Sequence, residues 1–281
     1  MSTKAAFGVG AAVITGAGSG IGEGLAREAA ALGMRVVLAD NAIDRLEKVT
    51  ADIIAGGGQA LAVPTDVTDP TALDRLADRA YAAYGDITLL VNNAGIETVG
   101  YSWELSIARW EQTLKVNVHG AVHGVRAFAP RMLASSRPAY IANVASIGGL
   151  GTMPLQTSYI LSKHAVIAFT ECLYLEMQLQ KNPVNVSVVV PGAVATRIFE
   201  DANAPGANAA THREIMNQML TQSGMAPRAA GRIILDGIAA KQFWVSTHPE
   251  LTAHMAKARA EHLANLTPPA MTDETRQLLG R

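Results

Sequence analysis

The chain has 281 residues, of which 49% are hydrophobic and 17% charged, so it has enough apolar side chains for one large core and too little charge for disorder. A formal net charge of −1 provides no basic field for a nucleic-acid backbone. One cysteine excludes an internal disulfide, the histidines lack zinc-ligand spacing, and no apolar run is long enough to span a membrane. We therefore expect a cytoplasmic protein that binds no metal, nucleic acid or membrane.

Short runs rich in β-branched residues alternate with longer helical patterns up to about residue 190, which is typical of βαβ units. The runs are mostly apolar without alternation, as expected for strands covered on both faces. They predict a doubly wound, Rossmann-like parallel sheet of about seven strands flanked by helices. The predicted strands are 11–14, 35–39, 60–63, 88–91, 140–144, 184–190 and 243–245. The predicted helices are 21–32, 43–54, 71–84, 103–133, 157–179, 227–240 and 249–266.

The rest of the chain adds no second core, so residues 1–281 are predicted to form a single domain. Residues 193–226 begin with Ala, Asn and Gly and continue into an amphipathic piece, 211–220, and we interpret them as a mobile lid over a substrate. Residues 248–281 form a C-terminal helical extension that ends in a surface tail. Cys172 lies in an apolar helical stretch and is expected to be buried.

A glycine-rich turn joins the first predicted strand to the first helix, in the sequence Thr15-Gly-Ala-Gly-Ser-Gly-Ile-Gly22. Glycines let the backbone approach a diphosphate closely at the positive end of the following helix. The spacing is G-x-x-x-G-x-G rather than the commonest dinucleotide fingerprint, and glycines also serve ordinary tight turns. The turn therefore indicates a nucleotide site only together with other residues.

Asp40 ends the second predicted strand, where a carboxylate can accept hydrogen bonds from both ribose hydroxyls of an adenosine. The same charge would repel a 2′-phosphate, and the glycine turn contains no Lys or Arg as a counter-charge. NAD is thus favoured over NADP. The alternative is that Asp40 simply caps the helix that begins near Ala42.

Tyr159 and Lys163 lie four residues apart in a predicted helix, so both side chains project from one face, and Ser146 follows the fifth predicted strand. An ammonium about 4 Å from a phenol would lower the phenol pKa by nearly three units at an effective dielectric near 20. Tyr159 would then act as a general base near working pH while Ser146 holds the reacting oxygen. Taken alone, this spacing is also common on helix surfaces.

Together these residues resemble the short-chain dehydrogenase/reductase family from about residue 10 to residue 196. The resemblance rests on the glycine turn, Asp40, Asp66-Val67, Asn-Asn-Ala-Gly at 92–95, Asn117, Ser146, Tyr-Ile-Leu-Ser-Lys at 159–163 and Pro-Gly-Ala-Val-Ala-Thr at 191–196. It implies a catalytic tetrad of Asn117, Ser146, Tyr159 and Lys163, in which the asparagine binds a water that relays protons to the lysine.

The resemblance also implies which residues bind the coenzyme. Asp66 and Val67 would bracket the adenine, although Asp66 could instead cap the turn before Pro70. Residues 92–95 would support the coenzyme and the central sheet, and residues 191–196 would contact its nicotinamide half. The implied coenzyme-binding residues are Gly16, Ser19, Gly20, Ile21, Gly22, Asp40, Asp66, Val67, Asn93, Ala94, Gly95, Tyr159, Lys163, Pro191, Gly192, Val194 and Thr196.

The sequence departs from the family near its end, where residues 243–247 and His248-Pro-Glu250 replace the usual closing strand with its glycine-rich end. That region often packs across a tetramer axis in the family, so a homodimer and a homotetramer both stay open.

The expected activity is NAD-dependent interconversion of a hydrophobic secondary alcohol and its ketone, with bulky aromatic or alicyclic alcohols as candidate substrates. Two alternatives stay open, an NADPH-preferring ketone reductase and a coenzyme-binding protein without catalysis.

Overall fold

The computed structural model describes residues 2–8, 10–135, 137–182 and 184–281. Seven parallel strands form one sheet in the order β3-β2-β1-β4-β5-β6-β7. The strands are β1 (Ala11–Thr15), β2 (Arg35–Asp40), β3 (Gln59–Pro64), β4 (Ile87–Asn92), β5 (Tyr140–Val144), β6 (Asn185–Val190) and β7 (Trp244–Ser246). The predicted single-domain, doubly wound sheet is confirmed.

Helices cover both faces of the sheet. They are α1 (Thr3–Phe7), α2 (Gly20–Ala31), α3 (Ile43–Ala55), α4 (Pro70–Tyr84), α5 (Ile107–Leu114), α6 (Gly120–Ala134), α7 (Thr157–Gln178), α8 (Ala207–Ser223), α9 (Pro227–Ala239), α10 (Pro249–Ala264) and α11 (Asp273–Leu278). A π-helical turn, Lys115–His119, joins α5 to α6, and a 3₁₀ turn, Ile147–Gly149, follows β5.

Alternate residues of each strand enter opposite halves of the core. In β1, Ala12 and Ile14 pack on the side of α2, α3 and α9, whereas Ala11 and Val13 pack on the side of α4, α6 and α7. This period of two explains why the strands are apolar throughout, since neither face reaches water.

The strand order reverses between β1 and β4, which are neighbours in the sheet. Connections on the two sides of this point lead in opposite directions, leaving a crevice outside the carboxyl ends of these strands. The glycine turn after β1 and residues 93–95 after β4 meet at this crevice.

The helix predicted at 103–133 is wrong in its extent and its continuity. Its first helical segment begins only at Ile107, because the Ser106 hydroxyl accepts a hydrogen bond from Arg109 N (3.4 Å) and caps α5. The π-helical turn then separates α5 from α6. Such turns insert one extra residue into a helix and are frequent at functional sites.

The expectation that Cys172 is buried is also wrong, because its side chain is exposed. It lies in an apolar stripe along the outer face of α7, between Leu161, which is 46% exposed, and Leu175 and Leu179, which are 62% and 84% exposed. The sequence shows that the stretch is apolar but not that this face of the helix points away from the core.

The predicted lid, residues 193–226, contains α8, which is longer than the predicted amphipathic piece. It packs in a small apolar cluster separate from the main core, formed with Val99 and Leu155 and with Leu279 near the C-terminus. The predicted surface tail therefore contains a helix, α11, that contacts α8. No helix in the described part of the chain is long and apolar enough to cross a membrane.

Candidate active site

The glycine turn has the shape that a dinucleotide diphosphate needs. Gly16 and Gly20 adopt φ angles of +64° and +55°, which favour glycine. A Cβ at Gly16 would lie 2.8 Å from Ala94 Cα, and one at Gly20 would lie 2.9 Å from Thr196 Cγ2. Ser19 begins α2 without a side-chain cap, so the first N–H groups of that helix stay available for an anion. Side chains here would fill the cradle, so the residues present fit a dinucleotide.

Thr15 connects the two sides of the crevice by hydrogen bonds at the switch point, the point between β1 and β4 where the strand order reverses. Its hydroxyl accepts hydrogen bonds from Asn93 N (3.0 Å) and Ala94 N (3.1 Å), and Asn93 Nδ2 donates to Thr15 O (2.9 Å). One strand further, Asn92 Nδ2 donates to Asn143 Oδ1 (2.8 Å). Side-chain hydrogen bonds of this kind fix the ends of β1, β4 and β5 relative to one another, although the buried Asn92 Oδ1 has no hydrogen-bond partner among the described residues.

Asp40 uses both carboxylate oxygens within the protein. Oδ2 accepts from Gly18 N (2.9 Å) and Oδ1 from Ala42 N (2.9 Å). Ala42 is the residue that precedes α3, so Asp40 forms a turn before the helix and does not cap its first N–H groups, as the alternative supposed. Each oxygen keeps a second lone pair, and the side chain is only half-buried, so ribose hydroxyls can still approach.

The glycine turn itself contains no Lys or Arg, but Arg45 lies beside it. A Cβ built on Gly18 would lie 3.4 Å from Arg45 Cβ, and the exposed Arg45 guanidinium pairs with Asp201 at 3.9 Å. Arg45 lies outside the turn in sequence, and only the packing of α3 against the turn brings it there.

Asn117 lies in the π-helical turn and is held by three hydrogen bonds. Its Oδ1 accepts from Ile96 N (2.8 Å), and its Nδ2 donates to Ile96 O (3.0 Å) and to Ser162 Oγ (2.9 Å). Ser162 in turn donates to Tyr159 O (2.6 Å). The asparagine thus connects the loop after β4 to the first turns of α7.

The side chains of Ser146 and Tyr159 both lie beside Gly148. The Ser146 hydroxyl accepts from Gly148 N (3.0 Å), and a Cβ at Gly148 would lie 3.4 Å from Ser146 Oγ and 3.5 Å from Tyr159 Cε1. A glycine at this position leaves room for both side chains beside the same space.

Lys163 is buried, with 3% of its surface exposed, and its Nζ donates to Val144 O (3.0 Å). The same nitrogen lies 5.4 Å from the centre of the Tyr159 ring. A Cβ at Gly95 would lie 3.4 Å from Lys163 Nζ and 3.5 Å from Asn117 Oδ1. The four residues predicted as the tetrad therefore converge on the crevice.

The pKa values in this cluster differ from the sequence expectation. Burial of its hydroxyl raises the pKa of Tyr159 above the ordinary value, the charge of Glu97 raises it further, and a hydrogen bond with Ser146 opposes the rise. Burial lowers the pKa of Lys163 to about 8, against the charge of Glu97. Desolvation thus sets the direction of the Tyr159 pKa shift, which is opposite to the lowering expected from the lysine charge.

The loop after β6 holds the remaining predicted nicotinamide contacts. Pro191 O accepts from Ile147 N (3.0 Å), and Val194 forms a β-bridge with Met225 at the end of the predicted lid. Gly192 N donates to Thr247 Oγ1 (3.0 Å), so the unusual C-terminal segment supports this loop directly. Sequence reasoning missed Thr247 because nothing in its neighbourhood resembles a functional motif.

Asp66 and Val67 follow β3, on the side of the crevice where the resemblance places the adenine. Asp66 Oδ1 accepts from Thr68 N (2.9 Å), while Asp69 caps α4. The turn-capping alternative for Asp66 therefore describes an observed contact, and its contact with adenine stays a prediction. Val67 is buried against Gly120.

Two buried polar residues beside the tetrad were missed by the sequence analysis. Glu97 is only 4% exposed, and Gln156 is 6% exposed one turn before Tyr159. The Gln156 Nε2 atom has no hydrogen-bond partner among the described residues. A single Glu after an apolar strand carries no motif, so only the structure shows where it lies.

The sheet order and the crevice define a dinucleotide-binding α/β protein. The sequence profile described as short chain dehydrogenase matches residues 10–206. The chain belongs to the short-chain dehydrogenase family and is an oxidoreductase of that family.

Relatives extend the likeness beyond the profile. The chain is 40% identical over 197 residues to the 1-deoxy-11-beta-hydroxypentalenate dehydrogenase of Streptomyces exfoliatus, covering 69% of this chain and 71% of that protein. It is 30% identical over 254 residues to the C alpha-dehydrogenase of Sphingobium sp., covering 88% and 83%.

Among solved structures, a short chain dehydrogenase/reductase from Burkholderia phymatum in complex with NAD superposes with a TM-score of 0.90 at 33% identity. The match covers 95% of this chain and 98% of that chain. It therefore extends well beyond residue 206, where the match to the family profile ends.

Proposed function

We propose that the protein is an NAD-dependent dehydrogenase that interconverts a hydrophobic secondary alcohol and its ketone. The observation that carries the proposal is the convergence of Ser146, Tyr159, Lys163 and Asn117 on the crevice at the switch point. A non-catalytic coenzyme-binding protein would not need a phenol, an ammonium and a hydroxyl arranged around one space.

The protein's own residues position the alcohol and move its proton. Ser146 donates a hydrogen bond to the alcohol oxygen, and Tyr159 takes the hydroxyl proton. Lys163 holds the nicotinamide ribose, and Asn117 holds the water that connects the lysine to solvent. The glycine turn, Asp40 and Lys163 would hold NAD, which would supply the hydride acceptor for the oxidation.

The part of the substrate that lies under the predicted lid is expected to be apolar. The space under the predicted lid is bounded by a cluster that includes Val99, Leu155, Phe199 and Leu220. One relative is named for a hydroxylated substrate, hydroxypentalenate, which fits an alcohol as the group oxidised. Bulky alicyclic or aromatic alcohols are the class we favour.

NAD is the preferred coenzyme in this proposal because Asp40 lies where a 2′-phosphate would be placed. A neighbour in the same fold was solved with NAD. One observation favours the second candidate, an NADPH-preferring reductase, since Arg45 beside the glycine turn could pair with a phosphate. The two candidate functions differ in whether repulsion by Asp40 or attraction by Arg45 has the larger effect on the binding of a 2′-phosphate.

A substrate panel run with both coenzymes tests the proposal. We expect NADH formation from cyclohexanol, 1-phenylethanol or a hydroxysteroid, with NAD preferred over NADP by about 100-fold, since like charges about 4 Å apart repel by about 1–4 kcal/mol. Asp40→Asn should reduce this preference at least about tenfold, and adding Arg45→Ala should remove the gained NADP activity. Tight NADH binding without turnover of any alcohol or ketone would favour the non-catalytic reading.

We also infer a homo-oligomer, a dimer or a tetramer. Two helices carry exposed apolar side chains. One is α7, with the apolar stripe described above, and the other is α5, where Ile107 is 73% exposed. Exposed apolar faces of this kind mark association surfaces. Light scattering of the purified protein distinguishes one, two and four copies. The cytoplasmic location expected from the sequence stays a prediction.

A further inference from the structure

Glu97 lies between the predicted tetrad and the predicted lid. The residue before it, Ile96, is bonded on both its N–H and its C=O by the Asn117 side chain. Two residues later, Val99 N donates to Asn203 O (2.9 Å) in the lid. Hydrogen bonds on both sides therefore fix the backbone of Glu97. This backbone lies between the residues of the predicted tetrad and the predicted lid.

The Glu97 side chain is buried but incompletely bonded. Its Oε1 accepts only from the N–H of the next residue, Thr98 (3.0 Å). Its Oε2 has no hydrogen-bond partner, and no Lys or Arg forms an ion pair with the carboxyl group, in the part of the chain that the structure describes. The residue as a whole is 4% exposed and lines a cleft, so a ligand in that cleft can be the partner of this oxygen.

Burial favours the neutral form of the Glu97 carboxyl group. Burial raises its pKa well above the ordinary value, although the Thr98 N–H and the charge of Lys163 oppose the shift. A protonated carboxyl group donates one hydrogen bond and still accepts others. Its complement is an uncharged oxygen, and the nearby ammonium of Lys163 disfavours a cationic ligand group.

The carboxyl group borders a cleft that a substrate can occupy. The cleft has a volume of about 510 Å³ and lies between α5 and the predicted lid, with Arg109 and Gln112 on one side and Asp201 and Asn203 on the other. Ile96, the residue before Glu97, also lines this cleft and is hydrogen-bonded to Asn117 of the predicted tetrad, so a ligand atom bonded to Glu97 would lie beside the loop that borders the reacting groups.

We propose that Glu97 is a specificity-determining residue whose carboxyl group hydrogen-bonds a second, uncharged oxygen of the substrate near its carbinol carbon. The enzyme then prefers secondary alcohols that carry a neighbouring hydroxyl, carbonyl or ether oxygen to simple secondary alcohols. This inference rests on the proposed dehydrogenase function and adds the substrate class to it.

Three probes of similar size test the proposal in the presence of NAD. They are 1-phenylethanol, 1-phenyl-1,2-ethanediol and 2-amino-1-phenylethanol, and the readout is the ratio of kcat/KM values. In the unmodified protein we expect the diol to exceed the simple alcohol by about 10-fold, the contribution of one neutral hydrogen bond. The amino alcohol should be the poorest of the three.

Variants at position 97 separate hydrogen bonding from structure. Glu97→Leu should lower the diol-to-alcohol ratio to about 1, and Glu97→Met, which fills a similar volume, should do the same. Glu97→Gln should keep most of the preference because its amide still donates. Glu104→Gln is the matched control, an exposed carboxylate on the same loop, and should keep the unmodified ratio. NADH binding reports whether each variant is folded.

The outcomes are distinct. A ratio that stays near 10 in both Glu97→Leu and Glu97→Met overturns the assignment, as does a preference for the amino alcohol, which would require an ionised carboxylate. If the protein oxidises 1-phenylethanol with NAD at a ratio near 1, this inference fails and the proposed function stands. If it oxidises no alcohol while binding NADH, the proposed function fails first and the inference falls with it.

Discussion

The site has a coenzyme half and a lid half, and each half is stabilised by a different kind of interaction. In the coenzyme half, buried polar side chains connect one strand end to the next, through Thr15 with Asn93 and through Asn92 with Asn143. In the lid half, α8 rests in an apolar cluster outside the main core, and its closing contacts come from the last residues of the chain, including Leu279.

This difference assigns separate tasks to the two halves. Hydrogen-bonded groups are tightly specified in distance and direction, so the coenzyme half holds reacting groups in one arrangement. An apolar cluster tolerates substitutions that keep its volume, so the lid half can accommodate different substrates without moving the reacting groups. Damage to the first half should therefore appear in kcat, and damage to the second in KM.

The largest effect is expected at Tyr159. Tyr159→Phe removes the proton acceptor but leaves the ring, and kcat should fall by about 100- to 10,000-fold, the usual contribution of a general base. The Kd for NADH, measured by fluorescence titration, should change by less than about threefold. Tyr174→Phe is the matched control, because Tyr174 lies on the same helix with 40% of its side chain exposed. Substantial turnover by Tyr159→Phe would mean that another group takes the proton.

The sequence predicted the coenzyme half well for a physical reason. Strands covered on both faces and a glycine turn at the start of a helix leave local signatures, and the resemblance supplied the positions of Asn117 and Ser146. It could not predict the π-helical turn or the proximity of Arg45, because both follow from packing between segments that are distant along the chain. The direction of the Tyr159 pKa shift depends on burial, which a sequence does not give.

The lid half was predicted less completely. The extent of α8 and the existence of α11 were missed, because short helices are stabilised by tertiary contacts more than by their own propensity. Here His212 of α8 is fully buried and its Nδ1 lies 2.6 Å from Leu278 O of α11. Arg281 reaches Tyr101 Oη at 3.4 Å. The C-terminus therefore restrains the lid through contacts that no local pattern indicates.

Removing residues 273–281 should loosen the lid half and leave the coenzyme half intact. The deletion takes away the Leu278 partner of His212 and the apolar contact of Leu279, together about 1–2 kcal/mol. We expect KM for the preferred alcohol to rise by about 10-fold, while the Kd for NADH changes by less than about twofold. Arg281→Ala, which removes only the Tyr101 contact, is the milder control. An equal loss of NADH affinity would show that the two halves are coupled.

The smallest predicted effect is on the stability of the protein. It tests the protonation state of Glu97, which lies between the coenzyme half and the lid half. Burial raises the pKa of folded Glu97 above the ordinary value of 4.5, so the folded protein keeps a proton that the unfolded chain releases as the pH rises. Stability therefore falls with rising pH between 4.5 and the folded pKa. Glu97→Gln cannot titrate and should avoid this loss.

The urea midpoint of Glu97→Gln, measured without coenzyme at fixed protein concentration, should exceed that of the unmodified protein by a margin that grows from about pH 5 to about pH 7.5. Lys163 contributes the opposite slope, because its folded pKa of about 8 lies below its ordinary 10.5, but mainly above this window and in both proteins. Glu104→Gln should show no growing margin. A margin that stays constant with pH would mean that Glu97 is ionised in the folded protein, and the wall between the two halves would then carry a charge rather than a hydrogen-bond donor.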